Sequence, residues 1–147
     1  MLYRSFPPNQ YKWNGLGGKL EEGETPEESV IREMKEEAEI DLTTALVRFA
    51  GVVLWNNTKD EHDKELKGMY AYIAYFKSEN VLFPKKETRE GTLEWKDIDW
   101  VLKKNNKDVV ENISYFLPLM LTQKEKQTYQ CFYVKDSLKE FTIHPFI

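Results

Sequence analysis

The spacing of hydrophobic positions changes several times along the 147-residue chain, and each change predicts an element. The opening Met1-Leu2-Tyr3-Arg4 reads as the tail of a strand, closed by a Pro-rich turn over 6–10. Trp13-Asn14-Gly15-Leu16-Gly17-Gly18 follows, with three glycines in four residues, so a loop that lets backbone approach a ligand is expected. From Thr25 the period becomes helical. Val30, Ile31, Met34 and Ala38 fall in one stripe suited to packing on a sheet. Thr25 is the expected N-cap, Pro26 takes the first helical position and Glu28 completes a capping box, which predicts a helix running to about Glu39.

Two β-branched or aromatic runs, 45–55 and 69–76, predict strands separated by a charged loop over 56–67. After a Pro- and Lys-rich connection, 92–95 reads as a short strand and 96–100 as a turn. Val109, Val110, Ile113, Phe116, Leu117 and Leu121 recur at helical spacing, predicting a second helix over 107–122 that Pro118 kinks or shortens. The runs 128–134 and 140–143 predict a hairpin around Lys135-Asp136-Ser137.

Composition narrows the function. With 41% apolar residues over this length, one domain spanning 1–147 is expected. The net charge is -4 and no window concentrates Lys and Arg, which argues against long nucleic acid as a partner. No apolar run approaches the ~20 residues of a membrane span, and the start lacks a secretory signal pattern, so a cytoplasmic protein is expected. The lone Cys131, within the strand-like QCFYV, reads as a buried structural cysteine. His62 and His144 lie neither at metal-ligand spacing nor beside a Ser or Cys nucleophile, and Gly15-Leu16-Gly17-Gly18-Lys19 lacks the spacing and hydroxyl of a Walker loop.

The candidate chemistry lies on the first helix. Glu33, Glu36 and Glu37 sit at i, i+3 and i+4, so they share a face beside the apolar stripe. Like charges at this spacing repel by a few tenths of a kcal/mol per pair, roughly, and a divalent cation would remove that cost. Oxygen-only ligands suit Mg²⁺ or Mn²⁺. Taken alone, an acidic helix is more often a solvated face.

The surrounding spacing changes that reading. From Gly18 the chain has five residues, Glu24, seven residues, then Arg32-Glu33-Met34-Lys35-Glu36-Glu37-Ala38-Glu39-Ile40. This resembles the Nudix box, with every charged position filled. One position departs: Glu39 stands where the pattern has Gly.

The resemblance implies an α/β fold, the Nudix α/β/α sandwich around a mixed sheet. It assigns metal binding to Glu33, Glu36, Glu37 and the carbonyl of Gly17, with Glu36 and Glu37 also catalytic. Arg32 and Glu24 would orient the box. An acid from a later loop often serves as ligand or general base, and Glu90 in Arg89-Glu90-Gly91 is the candidate. The chemistry implied is metal-dependent hydrolysis of a nucleoside diphosphate linked to another group.

Beyond the box, the chain is similar to MutT-like members that cleave oxidised purine nucleoside triphosphates such as 8-oxo-dGTP to the monophosphate and pyrophosphate. That similarity assigns substrate contacts to Asn14, Lys19, Asn112 and Glu111. Phe116 and Trp55 are either stacking surface or core. The alternatives are a Nudix hydrolase of a nucleotide sugar or dinucleotide, and a non-catalytic nucleotide sensor. The partner expected is a small nucleotide, with the chain a monomer or homodimer. Members of the family usually place a strand ahead of a segment like 1–4, so a missing N-terminal strand, or an edge covered by another segment, is also expected.

Overall fold

In the computed structural model the described residues are 1–60, 62–77, 79 and 85–147. They form two compact units, Met1–Val47 with Ala74–Val110 and Arg48–Ile73 with Glu111–Ile147.

The first unit holds a sheet in the order β2-β1-β6-β5, made of Trp13–Asn14 (β2), Leu2–Arg4 (β1), Gly91–Glu94 (β6) and Lys85–Glu87 (β5). All its pairings are antiparallel. The segment 1–4 is therefore no edge, because β2 covers the side that the sequence left open. β2 arises in a stretch expected to be loop. Its pairing is reinforced from outside the sheet, since Trp13 N–H donates to the Asp108 carbonyl at 2.7 Å and the Trp13 carbonyl accepts from Val110 N–H at 3.0 Å.

The first helix, α1, spans Pro26–Ala38 and follows its signals. The Thr25 hydroxyl accepts from Glu28 N–H, and the Glu28 carboxylate accepts from Thr25 N–H at 2.8 Å. Ala38 buries against Leu2 and Leu93, with Met34 and Ile40 packed around them, so the Met34 and Ala38 part of the predicted stripe seats the helix on β1 and β6. The helix ends at Glu39 in the left-handed region, φ 56° and ψ 29°, with its N–H bonded to Lys35 and Met34 carbonyls. The chain thus keeps the backbone turn that favours glycine while placing a long carboxylate on it.

Between β6 and β5, residues 88–90 make a tight turn in which Thr88 N–H and Oγ1 both donate to the Gly91 carbonyl. β5 lies in the Pro- and Lys-rich connection, where no strand was expected. Lys and Glu are poor strand formers, and pairing with the buried strand β6 overrides that preference. Ile98–Val101 (α2) is a short helix rather than the expected turn.

In the second unit the order is β4-β3-β7-β8, from Lys67–Tyr75 (β4), Leu46–Trp55 (β3), Gln127–Val134 (β7) and Ser137–Pro145 (β8). β3 and β7 run parallel, so this sheet is mixed. Lys135 and Asp136 both have positive φ, 50° and 61°, which makes the predicted hairpin turn a two-residue loop of the primed kind. The buried Asn56 extends the ladder beyond β3: its Oδ1 accepts from Tyr133 N–H at 2.7 Å and its Nδ2 donates to the Tyr133 carbonyl at 2.9 Å.

The second long helix, α3, spans Ile113–Thr122 and not 107–122. The Asp108 carbonyl and the Val110 N–H bond Trp13 instead of helical partners, so the segment before Ile113 pairs with β2. α3 continues through Pro118. The carbonyl four residues earlier belongs to the exposed Ser114, where solvent can take the bond that proline cannot make. Ile113, Phe116 and Met120 are buried, and Phe116 lies 6.5 Å from the Tyr129 ring, which gives Phe116 a core role. Cys131 is also buried, its thiol pushed up to about 11 by desolvation, as an inert structural cysteine requires.

Candidate active site

α1 delivers its three glutamates to one cleft of about 310 Å³ in the first unit, lined by Glu33, Glu36, Glu37, Lys86, Glu87, Thr88, Arg89 and Glu90. Four of the acids expected from the sequence therefore meet: the helix trio and Glu90. Lys86 and Arg89 were not foreseen. Their only signal was proximity to Glu90 in Lys85-Lys86-Glu87-Thr88-Arg89-Glu90, which gains meaning once the β5–β6 turn brings that segment to α1.

Arg32 organises the acids. Its Nε donates to Glu24 Oε1 at 2.7 Å and its Nη2 to Glu24 Oε2 at 3.0 Å, a bidentate pair across the loop before α1. Nη1 donates to Glu33 at 2.8 Å and to Glu36 at 3.2 Å, and Nη2 also reaches the Lys19 carbonyl at 3.1 Å. The Glu24 carboxyl is held down to about 2, chiefly by the Arg32 hydrogen bonds and then by the Glu21 N–H, and the Arg32 guanidinium is driven further toward its charged form. Lys19 contributes its carbonyl to this arrangement, and its side chain is not among those lining the cleft.

Gly18 makes room for Glu33. A Cβ there would stand 2.0 Å from Glu33 Oε1, so any larger residue displaces the carboxylate. Gly18→Ala is expected to keep the fold, since only the end of a flexible side chain must move, and to lower turnover by about tenfold or more. Unchanged kcat/KM would separate the position of Glu33 from catalysis.

Glu37 is the least satisfied of the trio. Its Oε2 is buried with no donor in reach. Burial, the neighbouring Glu90 and then Glu33 raise its carboxyl from 4.5 to about 7, with the Gly17 N–H opposing. A hydrogen bond between Glu37 and Glu90 exists only while one of them carries a proton, which reconciles the orphaned oxygen with the pull of Glu90. Glu90 itself is held by Arg4, whose Nη1 lies 3.6 Å from Oε2, and by its carbonyl, which accepts from Ser5 N–H at 2.8 Å.

The arrangement fits a hard cation. Every acidic donor is oxygen, and a buried carboxylate without a donor beside a second acid is costly unless a proton or cation lies between them. Among the described residues no three Asp, Glu, His or Cys side chains stand close enough together to hold a metal ion as they lie. Arg32 pairs with both Glu33 and Glu36, at 2.8 Å and 3.2 Å.

The remaining candidates are not among the residues that line this cleft. Asn14 ends β2, its Oδ1 accepting from Gly15 N–H at 2.8 Å. In the second unit Asn112 precedes α3 without a side-chain capping bond, and Glu111 accepts from Leu138 N–H at 3.3 Å.

A model of the NUDIX domain matches residues 1–120. The chain belongs to the Nudix family. It is 33% identical over 129 residues to the oxidized purine nucleoside triphosphate hydrolase of Danio rerio, a match covering 88% of this chain and 75% of that protein. It is 31% identical over 93 residues to the uncharacterized Nudix hydrolase YvcI of Bacillus subtilis (strain 168), covering 63% of this chain and 55% of that one. Its fold is that of the Bacillus halodurans MutT protein, with a TM-score of 0.76 over 99% of this chain and 89% of that chain at 23% identity. It is thus a Nudix hydrolase with an α/β fold, from a family that generally uses a divalent metal. Among the described residues no helix is long and apolar enough to cross a membrane.

Proposed function

We propose that this chain hydrolyses oxidised purine nucleoside triphosphates such as 8-oxo-dGTP to the monophosphate and pyrophosphate, using Mg²⁺ or Mn²⁺. The observation that carries the reading is the cleft in which Glu33, Glu36 and Glu37 meet Glu90, with one Glu37 oxygen buried and without a donor. The 33% identity to an oxidized purine nucleoside triphosphate hydrolase supports the substrate class.

Glu33, Glu36 and Glu37, with the Gly17 carbonyl, would hold the metal, and Arg32 with Glu24 sets the rotamers of the first two. When bound, the metal neutralises phosphate charge and lowers the pKa of the attacking water. Glu90 or Glu37 accepts the water proton: each lines the cleft, and their mutual repulsion makes one of the pair the stronger base. Attack at the β-phosphorus breaks the bond to the α-phosphate oxygen and releases pyrophosphate. Asn14 and Asn112 each carry a donor and an acceptor for a purine edge and Glu111 adds an acceptor, assignments that rest on the family resemblance. The enzyme would act on the cytosolic nucleotide pool, as a monomer or homodimer.

A panel of 8-oxo-dGTP, dGTP, dATP, ADP-ribose and a diadenosine polyphosphate with Mg²⁺ tests this. The highest kcat/KM is expected for 8-oxo-dGTP, with ¹⁸O from labelled water entering the pyrophosphate. A clear preference for ADP-ribose or the dinucleotide would overturn the substrate, and label in the monophosphate would overturn the site of attack.

A further inference from the structure

We propose that Lys86 and Arg89 bind the terminal phosphates of the polyphosphate substrate, and that Glu39 is the positioning residue for Lys86. The inference rests on the reading of the cleft as a nucleotide polyphosphate site.

Among the described residues lining the cleft, five are glutamates and the two cations are Lys86 and Arg89. A triphosphate reaching past the metal ligands would otherwise meet carboxylates and no cationic side chain of this lining, and the repulsion would fall on its outermost, most charged phosphate. Both cations come from one short segment, β5 and the turn after it, so they form one wall.

Their states suit the task. Arg89 is exposed, and its guanidinium makes no side-chain hydrogen bond or ion pair with a described residue. Lys86 stands directly across from Leu93 in the β5–β6 ladder. Cross-strand partners project to the same face, and Leu93 packs against Ala38 of α1, so Lys86 is directed to the helix side of the sheet. There its Nζ bonds the carboxylate of Glu39.

Glu39 is the one residue that departs from the Nudix box. Left-handed backbone at a helix end favours glycine, so a glutamate there is locally unfavourable. The ion pair supplies a reason for it. A lysine chain has many rotamers, and pairing with a carboxylate restricts where its head lies, which lowers the entropy lost when a phosphate binds.

The test uses the full chain with Mg²⁺ and inorganic tripolyphosphate, titrated calorimetrically, beside steady-state kinetics on a nucleoside triphosphate and the diphosphate of the same nucleoside. Lys86→Ala and Arg89→Ala are each expected to weaken tripolyphosphate binding and raise KM for the triphosphate by about tenfold, with kcat and the diphosphate KM little changed. Lys86→Arg should retain most of the affinity. Glu39→Gly should raise the melting temperature and also the triphosphate KM, two changes that a purely structural role would not couple.

Tripolyphosphate affinity unchanged in the Lys86→Ala/Arg89→Ala double variant would overturn the phosphate assignment, whichever nucleotide is turned over. An unchanged or lower KM in Glu39→Gly would overturn its positioning role. Loss of tripolyphosphate binding without preference for an oxidised purine would uphold this wall and remove the base reading alone.

Discussion

Glu37→Gln is expected to lose at least about 100-fold in turnover while folding normally, and, without metal, to be more stable than the parent chain above neutral pH. The two effects have one cause. In the folded protein the Glu37 carboxyl is raised from 4.5 to about 7 by burial, Glu90 and Glu33. Between those values the native state holds a proton that the unfolded chain has released, so stability falls as pH rises from about 4.5 to about 7. Glutamine carries no charge to desolvate and is spared that loss, which for a half-buried group amounts to ~1–2 kcal/mol at pH 8.

Mg²⁺ should reverse the order. A ligand that binds only the native state raises its stability, by about 2.7 kcal/mol at a hundred times Kd, and Glu37→Gln should gain little. Thermal melts in EDTA and in Mg²⁺ at pH 5 and pH 8 read both effects. Retained activity, or a variant less stable than the parent chain in EDTA at pH 8, would sink the metal-site assignment of Glu37.

Arg32→Lys should cost between about 10- and 100-fold in activity at limiting Mg²⁺, despite keeping the charge. Arg32 bonds both oxygens of Glu24 in one plane and still reaches Glu33, Glu36 and the Lys19 carbonyl. A lysine has one nitrogen for these partners, so Glu33 and Glu36 would lose their set rotamers. The variant should need more Mg²⁺ for half-maximal rate, with part of kcat recovered at saturation. An unaltered Mg²⁺ dependence would mean that Arg32 holds the loop and not the ligands.

Local chemistry made α1 legible. Its cap, its apolar stripe and its end all depend on residues within a few turns of one another, and the structure reproduces the cap, the end and the Met34 and Ala38 part of the stripe. The spacing of the box likewise placed Glu33, Glu36, Glu37 and Arg32 on one short helix, where periodicity alone fixes which side chains are neighbours.

Strand β5 was hidden because Lys and Glu have little strand preference, and β2 because it is two residues beside a glycine-rich run; pairing with β6 and β1 makes them strands. The same dependence shortened α3. Helical periodicity ran back to Val109, but the Val110 N–H and the Asp108 carbonyl bond Trp13, a partner far away in the chain, instead of the helical ladder.

The sequence by itself determined the family, the first helix and the acids it carries, since that information is contiguous and set by the 3.6-residue period. Tertiary structure decided what else reaches those acids. Glu90 arrives through the β5–β6 turn, Lys86 through its place opposite Leu93, and the raised carboxyl of Glu37 through burial, all products of pairing and packing between segments distant in the chain. Glu39 shows the division: in sequence it is a missing glycine, and in the folded protein it is the partner of Lys86.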